Sequence, residues 1–441
     1  MQISLSYPEV HPLDVPDANL RANLAPKTAA AAKPIRELVE KALDLPASSG
    51  RIEEMVSPSA RVLILVDDIT RQTPAAEILP PLLRRLESRG VGKKNIQFLI
   101  AAGTHARMTA PEIEKKLGAT VPREYAVTLH HWKEEGTLQR IGATADGTPV
   151  RINALVGRAD FVIGVGQIVP HRVMGFTGGA TIIQPGVSGP EVTGYTHWQS
   201  ALYAGREILG IAENPVRREV EQIARLAGLR FIINVVMDGR HAVTEVVAGD
   251  PVAAHRKGAA FSREIYGVTQ SVYADIVVAE SYPADYDLWQ AAKGIYSSEL
   301  AVREGGIVVL VTPCPHGVSD EHPEVEQLGY LGFEEVKAQV EKKLIRDLVA
   351  AAHLVHVGRV IRDRARGIMV SPGIKAETQR HLGLEPARTP QEALDKALAI
   401  VGRDAKVAVL HHGGDVLPIV QESEVRSQES GGGNRTVSSQ A

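Results

Sequence analysis

Short apolar, β-branched runs recur along the chain, with polar stretches between them. They fall at 61–66 (RVLILV), 97–102 (QFLIAA), 160–165 (DFVIGV), 231–236 (FIINVV) and 275–279 (DIVVA). Four more lie at 306–311 (GIVVLV), 354–357 (LVHV), 367–370 (GIMV) and 406–410 (KVAVL). The runs are continuous rather than alternating, which predicts strands covered on both faces. Between several of them the apolar positions switch to helical spacing, as in 75–90 (AAEILPPLLRRLESRG), 215–228 (PVRREVEQIARLAG) and 389–402 (TPQEALDKALAIVG). Strands alternating with amphipathic helices predict an α/β fold of mostly parallel sheets flanked by helices.

The length of 441 residues exceeds one ordinary core and suggests two or three domains; the division expected is an α/β domain at residues 1–268 and a second at 269–420. The stretch 421–441 lacks apolar content and reads as a disordered tail. A net charge of -3 gives no footprint for nucleic acid or an anionic membrane. Cys314 is the only cysteine, which leaves no disulfide framework and fits a reducing compartment. The first residues show no charged-then-apolar leader, and no apolar run reaches the ~18 residues of a membrane span. A soluble, cytoplasmic protein is expected, with partners that are neither nucleic acid nor membrane.

The loops beyond the strands are more informative than the strands themselves. DDITRQTP comes after the first run, GTHARMT after the second, QIVPHRVMGFTGG after the third and SYPADYDLWQAAKG after the fifth. Ligands bind beyond the carboxyl ends of strands in open α/β sheets, so Asp68, Arg71, His105, His171, Trp289, Gln290 and Lys293 should share one rim. Plainer readings stand beside this one: Asp68 and His105 also fit helix caps, and Arg71 a solvated cation. His353 and His356, three apart on a strand, would face opposite sides of it. Zinc motifs of the HExxH or CxxC kind are absent, and Cys314 reads as a structural thiol.

The stretch 168–189 (IVPHRVMGFTGGATIIQPGVSG) is rich in glycine yet has no lysine, and it matches neither common phosphate motif. Backbone N–H groups from Gly175 to Thr181 could form an anion nest, with Gly178 and Gly179 at its centre. The alternative is a glycine turn packed against the sheet.

The ordered set DDITR (67–71), GTH (103–105), PHRVMGFTGGATIIQPG (170–186), His197 in GYTHWQ, and DLWQAAKG (287–294) resembles the nickel-dependent lactate racemase (LarA-like) family. The motifs span about residues 60–295, and the strand pattern carries the resemblance to about 420. The resemblance implies a racemase or epimerase of 2-hydroxy acids, with the active site in the cleft between two α/β domains. It implies a nickel-pincer nucleotide, a pyridinium-3,5-bisthiocarboxylic acid mononucleotide that holds nickel through two sulfurs and a ring carbon. It also implies the cofactor-biosynthesis enzymes as partners. Carried across, His197 is the nickel ligand, and His105 and His171 are the acid/base pair. Arg71, with Asp68 near it, grips the substrate carboxylate, while Gln290 and Lys293 line the pocket that Trp289 helps to shape. Gly178, Gly179 and position 181 fall to the cofactor, with Asp68.

These residue types suit the chemistry. Arginine meets a carboxylate through two parallel hydrogen bonds. Imidazoles move a hydroxyl proton near neutrality, and two of them serve two enantiomers. Hydride transfer to the cofactor, rather than enolisation, is the implied step. Arg172 is an extra cation: it could meet a second carboxylate, as in malate, or point to solvent or the cofactor phosphate. One position departs from the family pattern. Two residues beyond the Gly-Gly pair the family has a lysine that bonds the cofactor covalently, and here the residue is Thr181. Non-covalent cofactor binding is therefore expected. Two other functions stay open: a non-catalytic metal- or nucleotide-binding homologue, and a zinc hydrolase built on His105, His171 and His197.

Overall fold

The computed structural model describes residues 1–29, 34–105 and 107–421. All of the tail beyond Gln421 therefore lies outside the described residues. The first strand of the two large sheets is β1 (Leu20–Leu24), whose strand partner arrives only near the other end. It then forms β2 (Val62–Asp67), β3 (Ile96–Ala101), β4 (Ala126–Leu129), β5 (Phe161–Gln167), β6 (Leu229–Met237) and β7 (Val243–Gly249). The second half supplies β8 (Ala274–Glu280), β9 (Val302–Val311), β10 (Arg366–Val370), β11 (Leu384–Ala387) and β12 (Val407–Leu410).

Two six-stranded sheets result. The first runs β7-β6-β5-β2-β3-β4 and is parallel except for the β6–β7 pair. The second runs β11-β10-β9-β8-β12-β1 and is parallel throughout. Each sheet has an apolar cluster on both faces, which is why the central strands read as unbroken apolar runs. Every residue of β2 and of β5 is buried.

The covering helices that matter for the site are α1 (Ala75–Ser88), α2 (Ala110–Leu117), α3 (Pro190–Ala201), α4 (Pro215–Leu226) and α5 (Ala253–Tyr266). From the second half come α6 (Leu288–Ala291), α7 (Lys293–Glu299), α8 (Leu348–Gly358) and α9 (Pro390–Val401). No helix among the described residues is long and apolar enough to cross a membrane.

Strand order reverses between β2 and β5 in the first sheet, and between β8 and β12 in the second. The crevice beyond the carboxyl ends at such a reversal is where this kind of sheet takes its ligand.

Two expectations need correction. The run at 354–357 is not a strand but part of α8, whose residues from Val349 to Gly358 are all buried. A helix buried all round loses its polar face and so its helical periodicity. His353 and His356 therefore lie on a helix, three residues apart, and share a face instead of opposing each other. The first residues also leave the domain assigned to 1–268: β1 pairs with β12, and Ile3, Leu5 and Leu13 pack into a core of the second sheet.

Candidate functional site

The loops after β2, β3 and β5 open into one cavity, which the second half of the chain closes through α6, α7 and α8. Asp68, Arg71, His105, His171, Arg172, Gly178, Thr181 and His197 line it, together with Trp289, Gln290 and Lys293. Of the residues singled out from the sequence, Gly179 alone is not on its wall.

Asp68 is buried, and one of its oxygens stands 2.9 Å from Nδ1 of His105. The other accepts the Thr70 N–H at 2.7 Å, which fixes the carboxylate in the turn after β2. Burial would raise this carboxyl, but His105 and then Arg71 hold it well below the usual carboxylate range. An ionised Asp68 draws the proton of His105 onto Nδ1 and leaves Nε2 as the basic atom. Lys116 of α2 pins the same turn, pairing with Asp67 at 2.7 Å and donating to the Arg71 carbonyl at 2.8 Å. The Arg71 guanidinium itself makes no hydrogen bond to the protein among the described residues.

His171 has no such orienting partner. Its Nδ1 is buried and has no partner among the described residues, and its ring lines the cavity that also holds Arg71 and Lys293. Burial, then Arg71, Lys293 and His197, push its pKa well below the usual value, so the ring is neutral at physiological pH. A neutral imidazole that lines the cavity is suited to meet a ligand hydroxyl. Lys293 donates to Gln290 Oε1 at 2.7 Å, and burial together with Arg71 lowers it to about 8.

His197 sits on α3, where its Nδ1 lies 2.8 Å from the carbonyl of Thr193, one turn back. A carbonyl only accepts, so Nδ1 carries the proton and Nε2 the lone pair. Burial lowers this histidine to about 4, which keeps it in the neutral form that a metal requires. Among the described residues His105, His171 and His197 do not form a cluster of ligand atoms within 4.8 Å, so they do not build a zinc-hydrolase site. A single neutral imidazole suits a metal whose remaining ligands arrive with an organic cofactor, and in that respect the site fits the pincer nucleotide.

The glycine loop answers to packing more than to an anion. Gly178 and Gly179 both have positive φ, +75° and +59°. A Cβ on Gly178 would meet Ile168 at 2.6 Å and the Gln167 carbonyl at 2.9 Å, and one on Gly179 would press on the His255 ring at 3.0 Å. The Gly179 N–H, expected in the nest, instead donates to Asn234 Oδ1 at 2.8 Å. The Thr181 hydroxyl donates to the Gly178 carbonyl at 3.0 Å, so only its oxygen lone pairs remain for a ligand. Arg172 does not reach solvent: it is buried, donating to the carbonyls of Tyr203 at 2.8 Å and Ser200 at 3.4 Å.

Sequence reasoning missed the residue that holds this loop. Arg217 on α4 is fully buried and donates to the carbonyls of Met174 (3.2 Å), Gly178 (3.1 Å) and Phe176. In PVRREV it looks like one more solvated arginine. Asn234 did leave a signal, as the one polar residue inside the run FIINVV. The part played by His353 was also missed: its ring stacks on Trp289 at 4.2 Å and hydrogen-bonds the hydroxyls of Tyr296 (2.9 Å) and Tyr330 (3.1 Å).

Comparison with known proteins finds relatives over most of the chain. Residues 8–207 match the lactate racemase N-terminal domain and residues 269–418 the lactate racemase C-terminal domain. The chain is 30% identical over 391 residues to a lactate racemase of Lactiplantibacillus plantarum, covering 86% of this chain and 89% of that protein. It is 29% identical over 416 residues to a lactate racemase of Thermoanaerobacterium thermosaccharolyticum, covering 92% and 96%. The structure of lactate racemase apoprotein from the latter organism superposes with a TM-score of 0.85, at 26% identity, over 95% of this chain and 100% of that one. A Thermotoga maritima protein shares the fold, with a TM-score of 0.70 at 21% identity over 89% of this chain and 100% of that one.

Proposed function

The chain belongs to the lactate racemase family, an isomerase family, and on that premise we propose that it inverts the stereocentre of a lactate-like 2-hydroxy acid, using a nickel-pincer nucleotide held without a covalent bond. The observation that carries this reading is the presence of two imidazoles, His105 and His171, on the wall of the cavity that holds the uncommitted Arg71.

When bound, the cofactor supplies the centre that accepts and returns hydride as the hydroxy acid passes through its planar 2-keto acid. The remaining work falls to the chain. Arg71 takes the substrate carboxylate through its guanidinium. His105, held by Asp68, offers Nε2 to the hydroxyl proton of one enantiomer, and His171, neutral and unpaired, does the same for the other. Lys293 keeps positive charge beside the oxygen as it gains and loses its proton. Closure by α6, α7 and α8 keeps bulk water from the reacting carbon.

His197 would hold nickel through Nε2, and the nucleotide would lie along Gly178 and Thr181. Thr181 has no amine to bond it. Lys293 comes from α7 in the second half of the chain and is engaged with Gln290, which argues against a substitute tether. Arg172 is committed to two backbone carbonyls, which supports a monocarboxylate over malate. The enzymes that build the cofactor are the partners this reading requires, and a cytoplasmic setting suits the lone thiol of Cys314.

Incubating the nickel-loaded protein with one lactate enantiomer and separating the products on a chiral column tests the reading. The mixture should approach equal amounts of both enantiomers, and His105→Ala and His171→Ala should each slow it by about 100-fold or more. A loaded protein that leaves either enantiomer unchanged would favour a non-catalytic homologue.

A further inference from the structure

Against the far side of the Trp289 wall lies a group of side chains that the racemase reading does not use. His322, Glu324 and Asp347 offer ligand atoms that all lie within 4.8 Å of one another. They come from separate pieces of chain: His322 and Glu324 from the segment leading into a short helix at 324–328, and Asp347 from the cap of α8.

Their polar atoms are incompletely satisfied. His322 is 1% exposed, and while its Nδ1 lies 3.2 Å from Asp347 Oδ2, its Nε2 has no partner among the described residues. Oε2 of Glu324 is likewise buried and, among the described residues, unpaired. Among the described residues no lysine or arginine pairs with either carboxylate. Asp347 caps α8 through Oδ1 and meets His322 through Oδ2, so the unmatched atoms are Glu324 Oε2 and His322 Nε2, and a buried carboxylate and imidazole left so call for a cation.

We propose that His322, Glu324 and Asp347 form a divalent-cation site, distinct from the nickel position at His197. One imidazole and two carboxylates form a nitrogen–oxygen set suited to zinc or manganese, with water completing the shell. Ligand atoms around a tetrahedral zinc sit roughly 3.4 Å apart, so closing on the ion takes about an ångström of side-chain movement. The ion would tie the His322 segment to the start of α8. The indole of Trp289 stacks on His322 at 3.9 Å, so the ion would steady that wall of the cavity from behind. None of this depends on the racemase reading.

Equilibrium dialysis of the full, cofactor-free chain against zinc chloride, with metal counted per chain, tests the proposal. Glu324→Gln is the first variant, because it keeps the shape and breaks no hydrogen bond of Oε2. His322→Asn is the second, should the first fail to fold. Wild type and His197→Ala should each bind one zinc that the variant binds at least 100-fold more weakly. Zinc should raise the melting midpoint of wild type but not of the variant, while the two melt alike without metal. Equal zinc content and equal zinc response in wild type and the variant would overturn the site.

Discussion

His105 Nδ1 lies 2.9 Å from a carboxylate oxygen of Asp68, across the carboxyl ends of the neighbouring strands β2 and β3. A buried carboxylate that stays ionised fixes both the tautomer and the direction of the imidazole. The pair is thus an orienting device for a proton acceptor, assembled from the turns after β2 and β3.

Asp68→Asn removes the charge and keeps the shape. The amide can donate as well as accept, so the ring is no longer held with its basic nitrogen toward the cavity. We expect kcat to fall by about 100-fold or more, with KM changed far less. Initial rates in both directions measure this, and a loss under threefold would show that Asp68 does not orient the catalytic ring.

Lys293, lowered to about 8 by burial and by Arg71, sets an alkaline limit. Below about pH 8 it is a cation facing an anionic substrate, and above it that charge is lost. kcat/KM should hold from neutrality to that point and then fall by about tenfold per pH unit. Lys293→Arg, whose guanidinium does not titrate in this range, should remove the limb at a lower absolute rate. An unchanged limb in that variant would assign it to another group.

How far these features could be read in advance varies along the chain. The apolar runs of β2, β5, β6, β8 and β9 were legible because strands covered on both faces leave no polar alternation. The same rule misled at 354–357, where a wholly buried helix carries the same signal. The weaker strands β1, β4, β7 and β11 escaped notice, for their sequences LRANL, AVTL, VTEVVAG and LEPA are short or mixed. The loops after β2, β3, β5 and β8 pointed to the site, since the fold reserves those positions for ligands. Arg217 was illegible: its partners are backbone carbonyls about 40 residues away, and no side-chain pattern encodes a carbonyl's direction.

Arg217→Met should therefore destabilise the protein although it touches no substrate. It leaves the carbonyls of Met174 and Phe176 without their Arg217 donor, at about 1–3 kcal/mol each, while that of Gly178 keeps the Thr181 hydroxyl. The thermal midpoint should drop by about 10 °C, with Arg217→Lys recovering only part of it. A midpoint within a degree or two of wild type would mean that the loop does not depend on this residue.

Arg172→Ala separates the two readings of the second cation. Because Arg172 donates to the carbonyls of Ser200 and Tyr203, its loss should impair lactate and malate turnover by the same factor. A loss confined to malate, measured as the ratio of kcat/KM values, would place a second substrate carboxylate on this guanidinium.

Mass spectrometry of active, nickel-loaded protein, run under native and then denaturing conditions, tests the central claim most directly. With Thr181 in place of a lysine, the cofactor mass should accompany the folded chain and vanish on denaturation, and extensive desalting should drain activity and nickel together. A cofactor adduct that survives denaturation would contradict the account, and its site of attachment would identify the residue that does the tethering.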